Sequence, residues 1–532
     1  MDNFRELLHG FSIAITVPHL VLMVVGVLLG ILVGVLPGLG APNGVSLLLP
    51  LTFGMQPVSA IILLSSMYWG ALFGGSVTSI LFNIPGEPSS VATTFDGYPM
   101  ARDGRPTTAL ATAFGSAAFG ALVGVILITF LASWVAQVAL AFGPAEYFAV
   151  YFLAFASFVG MGGAAPSKTL VALAIGFAIA AIGIDTVSGS VRLTMGVDEL
   201  VKGVNFVVAV MGLFGIGELL VAVEEEFHAR AVSSKIEWRE VFRAIGRLPR
   251  HSVALLRSAA IGCWMGITPG GPTAASFMSY GIARRFSRRG KYFGTGEVEG
   301  IISPETADHA AGTSALLPML SLGIPGSATA AVMMGGLMIW GLNPGPMLFV
   351  DQKDFVWGLI ASMYVGNIVA VALVLLTVPV FAALMRIPFV IIAPLIVIIC
   401  VVGAYSVSNS YLDVVMMLGF GIVGYLFKKL FYPLAPLVLA IVIGDKAEDA
   451  FRQSMLMSKG SLGIFFANKL VTCLIVAGIT LLLLPLVLQL PRLWRKPASA
   501  ATGTTAQEKA QETAQETAQE TAQETAREKV II

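Results

Sequence analysis

The sequence predicts an all-α polytopic membrane protein. Of its 532 residues, 56% are hydrophobic and 12% are charged, whereas soluble domains carry about 25% charged residues. Apolar runs recur along the chain, and a helix needs about 20 such residues to cross a bilayer. The runs are continuous rather than alternating, which favours helices over the strands of a membrane barrel. We expect about 10 to 12 membrane segments.

The membrane region divides into two halves of similar length. Apolar runs in the first half include Leu20 to Leu36, Ala109 to Phe142 and Phe206 to Val223. A polar stretch follows, and more apolar runs come after it. Beyond Pro497 the composition becomes a repeat of Ala, Gln, Glu and Thr, which cannot build a core. We predict four regions: a first membrane half at 1–223, a polar connector at 224–250, a second membrane half at 251–496 and a disordered low-complexity tail at 497–532.

Basic residues are concentrated between the apolar runs. They lie at 102–105, 235–257, 284–291, 428–429 and 492–496. Segments rich in lysine and arginine stay on the cytoplasmic side of a membrane, so we expect these segments and the C-terminus there. The formal net charge of +1 gives no electrostatic reason to expect a nucleic-acid partner. The partner that the composition predicts is the lipid bilayer.

Two short motifs occur once in each half, in the same order. The first reads GVLPGLG around Pro37 and GITPGG around Pro269, and we call the step from Pro37 to Pro269 the first offset (269 − 37 = 232). The second reads LFNIPG around Pro85 and LSLGIPG around Pro325, and the step from Pro85 to Pro325 is the second offset (325 − 85 = 240). Two landmarks with nearly the same offset indicate an internal repeat.

Pro-Gly within an apolar run predicts a broken helix. Proline removes a backbone donor and glycine has a low helix propensity. In lipid, each freed backbone group costs several kcal/mol unless protein or a wet cavity satisfies it. Loops at the membrane surface, or simple kinks, would give the same dipeptide. The repetition in both halves favours instead the paired broken helices that form transporter binding sites.

Small polar residues surround these breaks. Hydroxyls, amides and unwound carbonyls suit a sodium ion, and the N-termini of broken helices suit a carboxylate. Serine and threonine also join membrane helices without any ligand. The candidate ligands are Asn43, Ser76, Thr78, Ser79 and Asn83 in the first half and Thr273 and Ser327 in the second.

At these motifs the sequence resembles the large permease subunit of the tripartite tricarboxylate transporters. The matching segments are 34–40, 68–86, 96–101 and 185–196 in the first half and 268–271, 299–305 and 322–327 in the second. The resemblance spans roughly residues 10 to 490, and long motifs such as YWGALFGGSVTSILFNIPG make it specific.

The resemblance implies a symporter in the bacterial inner membrane that imports a small di- or tricarboxylate. A periplasmic solute-binding protein would deliver the substrate, and a small membrane subunit would assist. Sodium or a proton would be the coupling ion, with no other cofactor. The implied fold is an elevator-type transporter with two inverted halves and re-entrant hairpins. The implied site has one hairpin tip at Asn83, Pro85 and Gly86, the other at Gly323, Pro325 and Gly326, and helix breaks at Pro37, Gly38, Pro269 and Gly270.

One pair of residues departs from the family pattern. After Pro304 and Glu305 the family usually has paired asparagines, whereas this chain has Asp308 and His309. The departure leaves the substrate and the coupling ion open. Glu305 and His309 are four residues apart, like a helical metal pair, but a third ligand is missing, so we expect no metal. We keep Glu305 as a candidate, either as part of a structural pair or as a contact to a substrate gate.

Three functional classes are compatible with the sequence: a symporter, a scaffold or receptor subunit, and an intramembrane enzyme using Glu305 and His309. The duplicated breaks favour the symporter, because a scaffold has no need of them. The sequence has no phosphate-binding loop, so an ion gradient rather than ATP should supply the energy. We predict no catalytic residues.

Three basic residues flank apolar runs. Lys168, Arg192 and Lys202 could each neutralise a carboxylate substrate or extend to the membrane interface. The interface is favoured for Lys168 and Lys202, which lie near helix ends. Arg192 lies within a motif, and both roles stay open for it.

Overall fold

The computed structural model confirms the all-α class. It describes residues 2–36, 39–161, 165–185, 188–224, 236–268, 270–384 and 389–494. A two-residue antiparallel hairpin pairs β1 (Gly183–Ile184) with β2 (Val191–Arg192), and Gly183 lies opposite Arg192. The helices are α1 Asp2–Ala14, α2 Val17–Val35, α3 Ala41–Leu48, α4 Pro57–Phe82, α5 Val91–Arg102, α6 Pro106–Ala139, α7 Pro144–Met161, α8 Pro166–Ala180, α9 Phe206–Val210, α10 Gly217–Glu224, α11 Trp238–Arg247, α12 Ser252–Ile267, α13 Gly271–Phe286, α14 Val298–Ser314, α15 Leu316–Leu322, α16 Ala328–Ile339, α17 Leu348–Asp351, α18 Lys353–Leu384, α19 Phe389–Ser408, α20 Tyr411–Lys429, α21 Leu434–Met457, α22 Ile464–Ala467 and α23 Lys469–Trp494.

Long apolar helices make the chain a multi-pass membrane protein. Within the described ranges, six helices are long and apolar enough to cross a bilayer, and five shorter apolar helices accompany them. The three apolar runs named from the sequence correspond to α2, to α6 and to the segment formed by α9 and α10. A π-helical turn at Met211–Ile216 joins α9 to α10.

The chain divides into two compact units, Met1–Leu483 and Leu484–Ile532. Of the second unit, the described part is the end of α23, and the predicted tail at 497–532 lies outside the described residues. In the predicted connector, residues 225–235 also lie outside them, while α11 buries Val241 and Ala244. The region boundaries drawn from the sequence stay a prediction.

The packing of α2 on α4 depends on glycine. A Cβ atom added at Gly30 or Gly34 would collide with the backbone carbonyl of Met67 or Ala71, respectively. Only glycine therefore lets the two backbones approach so closely. The consequence is a helix pair held together by backbone contacts.

The packing of α12 on α14 repeats this arrangement. Added Cβ atoms at Gly262 and Gly266 would collide with the carbonyls of Ala307 and Ala311. These two glycines correspond to Gly30 and Gly34 by the first offset, since 262 − 30 and 266 − 34 both equal 269 − 37. Their partners correspond to Met67 and Ala71 by the second offset, since 307 − 67 and 311 − 71 both equal 325 − 85. The sequence repeat is therefore also a repeat of packing.

Candidate functional site

Both proposed tips begin where a helix ends in the left-handed conformation. Asn83 follows α4 with φ of 59°, and Gly323 follows α15 with φ of 69°. Glycine adopts this conformation without steric penalty and asparagine tolerates it. The prolines at 85 and 325 then prevent the helix from continuing.

Each tip folds back onto the helix that carries the glycines of its own half. A Cβ atom at Gly86 would collide with the carbonyl of Gly34, and one at Gly326 with the carbonyl of Gly266. The two contacts are equivalent, because Gly326 corresponds to Gly86 by the second offset and Gly266 corresponds to Gly34 by the first. The tips at 83–87 and 323–327 are therefore the same local structure built twice.

The candidate ligands fall into three groups. Thr78 and Ser79 direct their hydroxyls at the carbonyl of Gly75, at 3.1 and 2.8 Å, so these groups support α4 and the tip. Asn83 and Thr273 are exposed, Gly270 and Pro85 are half-buried, and Asn43, Ser76, Gly86, Gly323, Pro325, Gly326 and Ser327 are buried. Pro37, Gly38 and Pro269 lie outside the described residues. A ligand role for each of these residues stays a prediction.

Glu305 joins the two halves of the membrane region. It lies on α14, is 1% exposed, and both carboxylate oxygens are 2.8 Å from the Ser76 hydroxyl on α4. Thr93 on α5 also donates to it at 2.5 Å. Hydrogen bonds to an ionised acceptor are stronger than those between neutral groups. Glu305 therefore holds α14 against α4 and α5 of the first half.

Glu87 belongs to the first tip, and no sequence pattern singled it out. Its carboxylate accepts a hydrogen bond from the backbone N–H of Ala41, the first residue of α3. Its own N–H donates to the Ser90 hydroxyl at 3.3 Å. A helix N-terminus carries a partial positive charge and unsatisfied N–H groups. Glu87 therefore connects the tip to the helix that follows the first Pro-Gly break.

Asp308 lies one turn beyond Glu305 on α14 and is 1% exposed. Its carboxylate faces Glu305, Glu87 and the Ser89 hydroxyl. Neither of its oxygens has a hydrogen bond of normal geometry. Buried polar atoms almost always have a partner, whether protein, water or ligand. This carboxylate therefore has an unmet need for a donor or a cation.

His309 follows Asp308 on α14 and directs its Nδ1 atom at a backbone carbonyl. Its Nδ1 atom lies 3.2 Å from the carbonyl oxygen of Glu305, which can only accept, so Nδ1 carries a proton. Its ring packs on Phe73 with the ring centroids 4.5 Å apart. The Glu305 carboxylate points instead at Ser76 and Thr93, so the two side chains do not share a ligand position. In the described part of the chain, no group of three possible metal ligands assembles.

Tyr68 faces the second tip from the first half. Its hydroxyl faces Ser327 and Thr329, and the carboxylates of Asp308 and Glu87 are near enough to interact with it electrostatically. It forms no hydrogen bond of normal geometry. Ser327 accepts a hydrogen bond from the N–H of Ala330 at 3.1 Å and so caps α16. Tyr68 was not among the candidate ligands predicted from the sequence, although it is the first residue of the motif YWGALFGGSVTSILFNIPG.

The buried ionisable side chains around the two tips are mainly acids. Glu87, Glu305 and Asp308 are buried there, and no lysine or arginine is among the buried residues of the described chain. Uncompensated charge at membrane depth costs several kcal/mol. Compensation must therefore come from hydroxyl donors, helix N-termini, protons or bound cations.

A further buried acid, Asp96, organises the loop before α14. Asp96 on α5 accepts from the Tyr280 hydroxyl at 2.9 Å and from the backbone N–H groups of Gly294, Gly296 and Glu297 at 2.9, 3.0 and 2.7 Å. Its four donors all come from the second half of the membrane region. Asp96 therefore has a structural role in placing the start of α14.

Two of the basic residues singled out from the sequence contact other groups. Arg192 donates to Glu448 at 2.9 Å, which raises the pKa of Arg192. Lys168 donates to the carbonyl of Leu430 at 2.7 Å and lies over the Tyr432 ring. Arg192 is thus engaged by Glu448 rather than by the tips.

Two cavities open elsewhere in the protein. One of about 300 Å³ is lined by residues of α1, α6 and the region of α17 and α18, including Glu6, Gln137 and Lys353. One of about 400 Å³ is lined by residues of α7 and α21, including Tyr151 and Lys446. Neither has a residue of the two tips in its lining.

Paired broken helices around a buried polar centre are the arrangement of a secondary transporter. Residues 20–439 match the tripartite tricarboxylate transporter TctA family, and the chain belongs to that family. It is 36% identical over 492 residues to an uncharacterized 52.8 kDa protein in the TAR-I ttuC' 3' region of Agrobacterium vitis, covering 92% of this chain and 97% of the relative. A shorter uncharacterized protein in the TAR-II ttuC' 3' region of that organism is 34% identical over 227 residues, or 42% of this chain and 94% of the relative. No solved structure matches the chain.

Proposed function

We propose that this protein is the membrane permease of a tripartite system that imports a small di- or tricarboxylate, driven by an ion gradient. The observation that carries the proposal is the pair of equivalent tips, each facing a polar side chain of the opposite half. A site shared by two repeats can open to either side of a membrane by moving one element against another. Membership of a tripartite transporter family supports the presence of partner subunits.

The chemistry at the second tip suits a carboxylate. The N-terminus of α16 begins at the tip, directly after Ser327. Ser327, Thr329 and Tyr68 place three hydroxyls there. Helix N-termini and hydroxyl donors bind anions. A substrate carboxylate bound here would meet donors, while the acids near the first tip would lie on its other side.

The acids near the first tip explain the need for a coupling ion. An anionic substrate cannot approach Glu87, Glu305 and Asp308 without repulsion unless positive charge enters with it. A co-transported cation or proton supplies that charge. Coupling thus follows from electrostatics, and a bacterial inner membrane with a periplasmic binding protein is the proposed setting.

Uptake into proteoliposomes tests the proposal. The vesicles would contain this chain and its small membrane subunit, with the solute-binding protein outside, and radiolabelled citrate, succinate and malate as separate probes. We expect accumulation of at least one acid under an inward sodium or proton gradient, imposed one at a time. Correctly inserted protein that accumulates none of them under either gradient would instead support a scaffold subunit.

A further inference from the structure

The carboxylate of Asp308 differs from its two acidic neighbours in having no hydrogen bond of normal geometry, although the Ser89 hydroxyl faces it. Glu305 accepts from Ser76 and Thr93, and Glu87 accepts from the N–H of Ala41 at the start of α3. These donors stabilise a negative charge on Glu305 and Glu87. Neither oxygen of Asp308 has a hydrogen bond of normal geometry, and the side chain is buried. Asp308 is therefore the acid of the three that most needs a positive partner.

The groups that face Asp308 do not provide that partner. From α14 itself these are Glu305 and His309, from α4 Tyr68, and from the first tip Glu87. The Nδ1 atom of His309 is 3.9 Å from Asp308 and donates to the carbonyl of Glu305 rather than to the Asp308 carboxylate. The other facing groups are acids, a phenol and the Ser89 hydroxyl, and none of them carries a positive charge. The buried acid on α5, Asp96, accepts hydrogen bonds from Tyr280 and three N–H groups.

A proton fits this position better than a metal cation. Hard cations need several oxygens that converge on one point. The oxygens of Asp308 have no protein oxygen in hydrogen-bond geometry, and the carboxylates of Glu305 and Glu87 are turned to other donors. A proton requires only one oxygen and removes the whole charge of the group. Burial without a well-formed hydrogen bond favours that neutral form.

We propose that Asp308 carries the coupling proton of this transporter. This inference rests on the proposed function, because it names the ion that accompanies the substrate. An O–H bond forms on the Asp308 carboxylate from the periplasmic side, and the same bond breaks towards the cytoplasm after the substrate has left. One proton enters and one leaves in each cycle, and no other bond changes.

The test compares proton-driven uptake with exchange that needs no gradient. Asp308→Asn keeps the shape of the side chain and fixes it in a neutral form. Under a proton gradient of about one pH unit, a one-proton symporter accumulates substrate about tenfold, and we expect Asp308→Asn to lose this accumulation. The rate at which labelled substrate outside the vesicles exchanges for unlabelled substrate inside should change less than about twofold in Asp308→Asn. Exchange does not require residue 308 to lose a proton in either direction. Asp308→Glu should restore coupling.

Direct proton measurement and a matched control complete the experiment. A pH-sensitive dye in weakly buffered vesicles should report proton entry with substrate for the wild type and none for Asp308→Asn. Asp351→Asn, the same chemical change at an exposed position of α17, should behave as wild type. If Asp308→Asn does not fold, Asp308→Asn combined with His309→Asn provides the neutral variant.

The outcomes separate the two proposals. Retention of proton-driven accumulation by Asp308→Asn would overturn the role of Asp308 while leaving the transporter intact. Accumulation by the wild type under a sodium gradient alone would likewise overturn it and identify sodium as the coupling ion. Failure of the wild type to accumulate or exchange any of the three acids would overturn the proposed function, and this inference with it.

Discussion

Tyr68 and Asp308 occupy equivalent positions in the two repeats, because the second offset leads from one to the other, and each faces the tip of the opposite half. Tyr68 on α4 points at Ser327 of the second tip, and Asp308 on α14 points at Ser89 beside the first. One position of the repeat thus carries a phenol in one half and an acid in the other. The duplicated scaffold therefore has two chemically different ends, with a hydroxyl at one and a carboxyl group at the other.

Tyr68→Phe should alter transport without altering stability. The hydroxyl forms no hydrogen bond of normal geometry, so its removal should change the free energy of unfolding by less than about 0.5 kcal/mol. If it contacts the substrate carboxylate, the KM for uptake should rise about tenfold, as expected for loss of a hydrogen bond to a charged group.

Tyr364→Phe is the control for that change. The hydroxyl of Tyr364 lies 2.9 Å from that of Thr129, away from both tips. Removing it should cost about 1 kcal/mol of stability and leave KM unchanged. Thermal unfolding in detergent and uptake in proteoliposomes measure the two effects. Equal KM values for the wild type and Tyr68→Phe would show that the Tyr68 hydroxyl does not contact the substrate.

Gly86→Ala and Gly326→Ala should have similar effects, because the two tips make equivalent contacts. Each added methyl would collide with a backbone carbonyl, that of Gly34 or Gly266, which cannot move like a flexible side chain. We expect a loss of about 1 to 3 kcal/mol of stability and a large loss of uptake in both variants. Gly281→Ala, which meets no atom within 4 Å, should leave both unchanged. Harmless substitutions at the tips would contradict the packing.

Asn83 separates the contribution of a backbone conformation from that of a side chain. Its φ of 59° costs most residues about 1 to 2 kcal/mol, so Asn83→Ala combines strain with loss of the amide. Asn83→Gly removes the amide and permits the same backbone. If the amide is a ligand, both variants reach the membrane in normal amounts and both lose uptake. Normal uptake by Asn83→Gly would restrict the role of Asn83 to ending α4.

Asp96→Ala should destabilise the protein strongly. It would leave three backbone N–H groups and the Tyr280 hydroxyl without their acceptor in a buried place. Removing one partner of a buried charged network costs about 3 to 5 kcal/mol. Tyr280→Phe, which removes a single donor, should cost about 1 to 3 kcal/mol. The temperature at which each variant loses monodispersity measures both losses of stability. A mild effect of Asp96→Ala would contradict the structural role of Asp96 in placing the start of α14.

The sequence predicted the helix breaks at 83–86 and 323–326 because proline and glycine act locally. Their effect depends on missing donors and on φ, which neighbouring residues do not override. The internal repeat was also predicted from the sequence, and its two offsets relate the packing contacts of Gly34 to those of Gly266. The breaks at Pro37 and Pro269 lie outside the described residues, so their geometry stays a prediction.

Tyr68, Glu87 and Asp96 were missed because their roles depend on contacts between distant parts of the chain. Glu87 meets Ala41, and Asp96 meets residues 294–297. Local patterns contain no signal for such pairs. For Tyr68 a signal existed: applying the second offset to Asp308 leads directly to it. Thr78 and Ser79 illustrate the opposite case, where suitable ligand types bond their own helix.

The glycines of α2 have a consequence for the alignment of this helix along its neighbour. Gly26, Gly30 and Gly34 are four residues apart, and each meets a carbonyl on α4, at Leu63, Met67 and Ala71. Four residues are about one turn, so a slide of about 6 Å would bring glycine against carbonyl again. Glycine spacing alone therefore permits two registers.

The first tip packs on α2 in the observed register, where Gly86 lies against the carbonyl of Gly34. In the second half, the first offset places Ser258 at the position of Gly26, so the row on α12 has two glycines, Gly262 and Gly266, instead of three. A one-turn shift that brings this position against the next carbonyl would therefore place a glycine there in the first repeat and a serine side chain in the second.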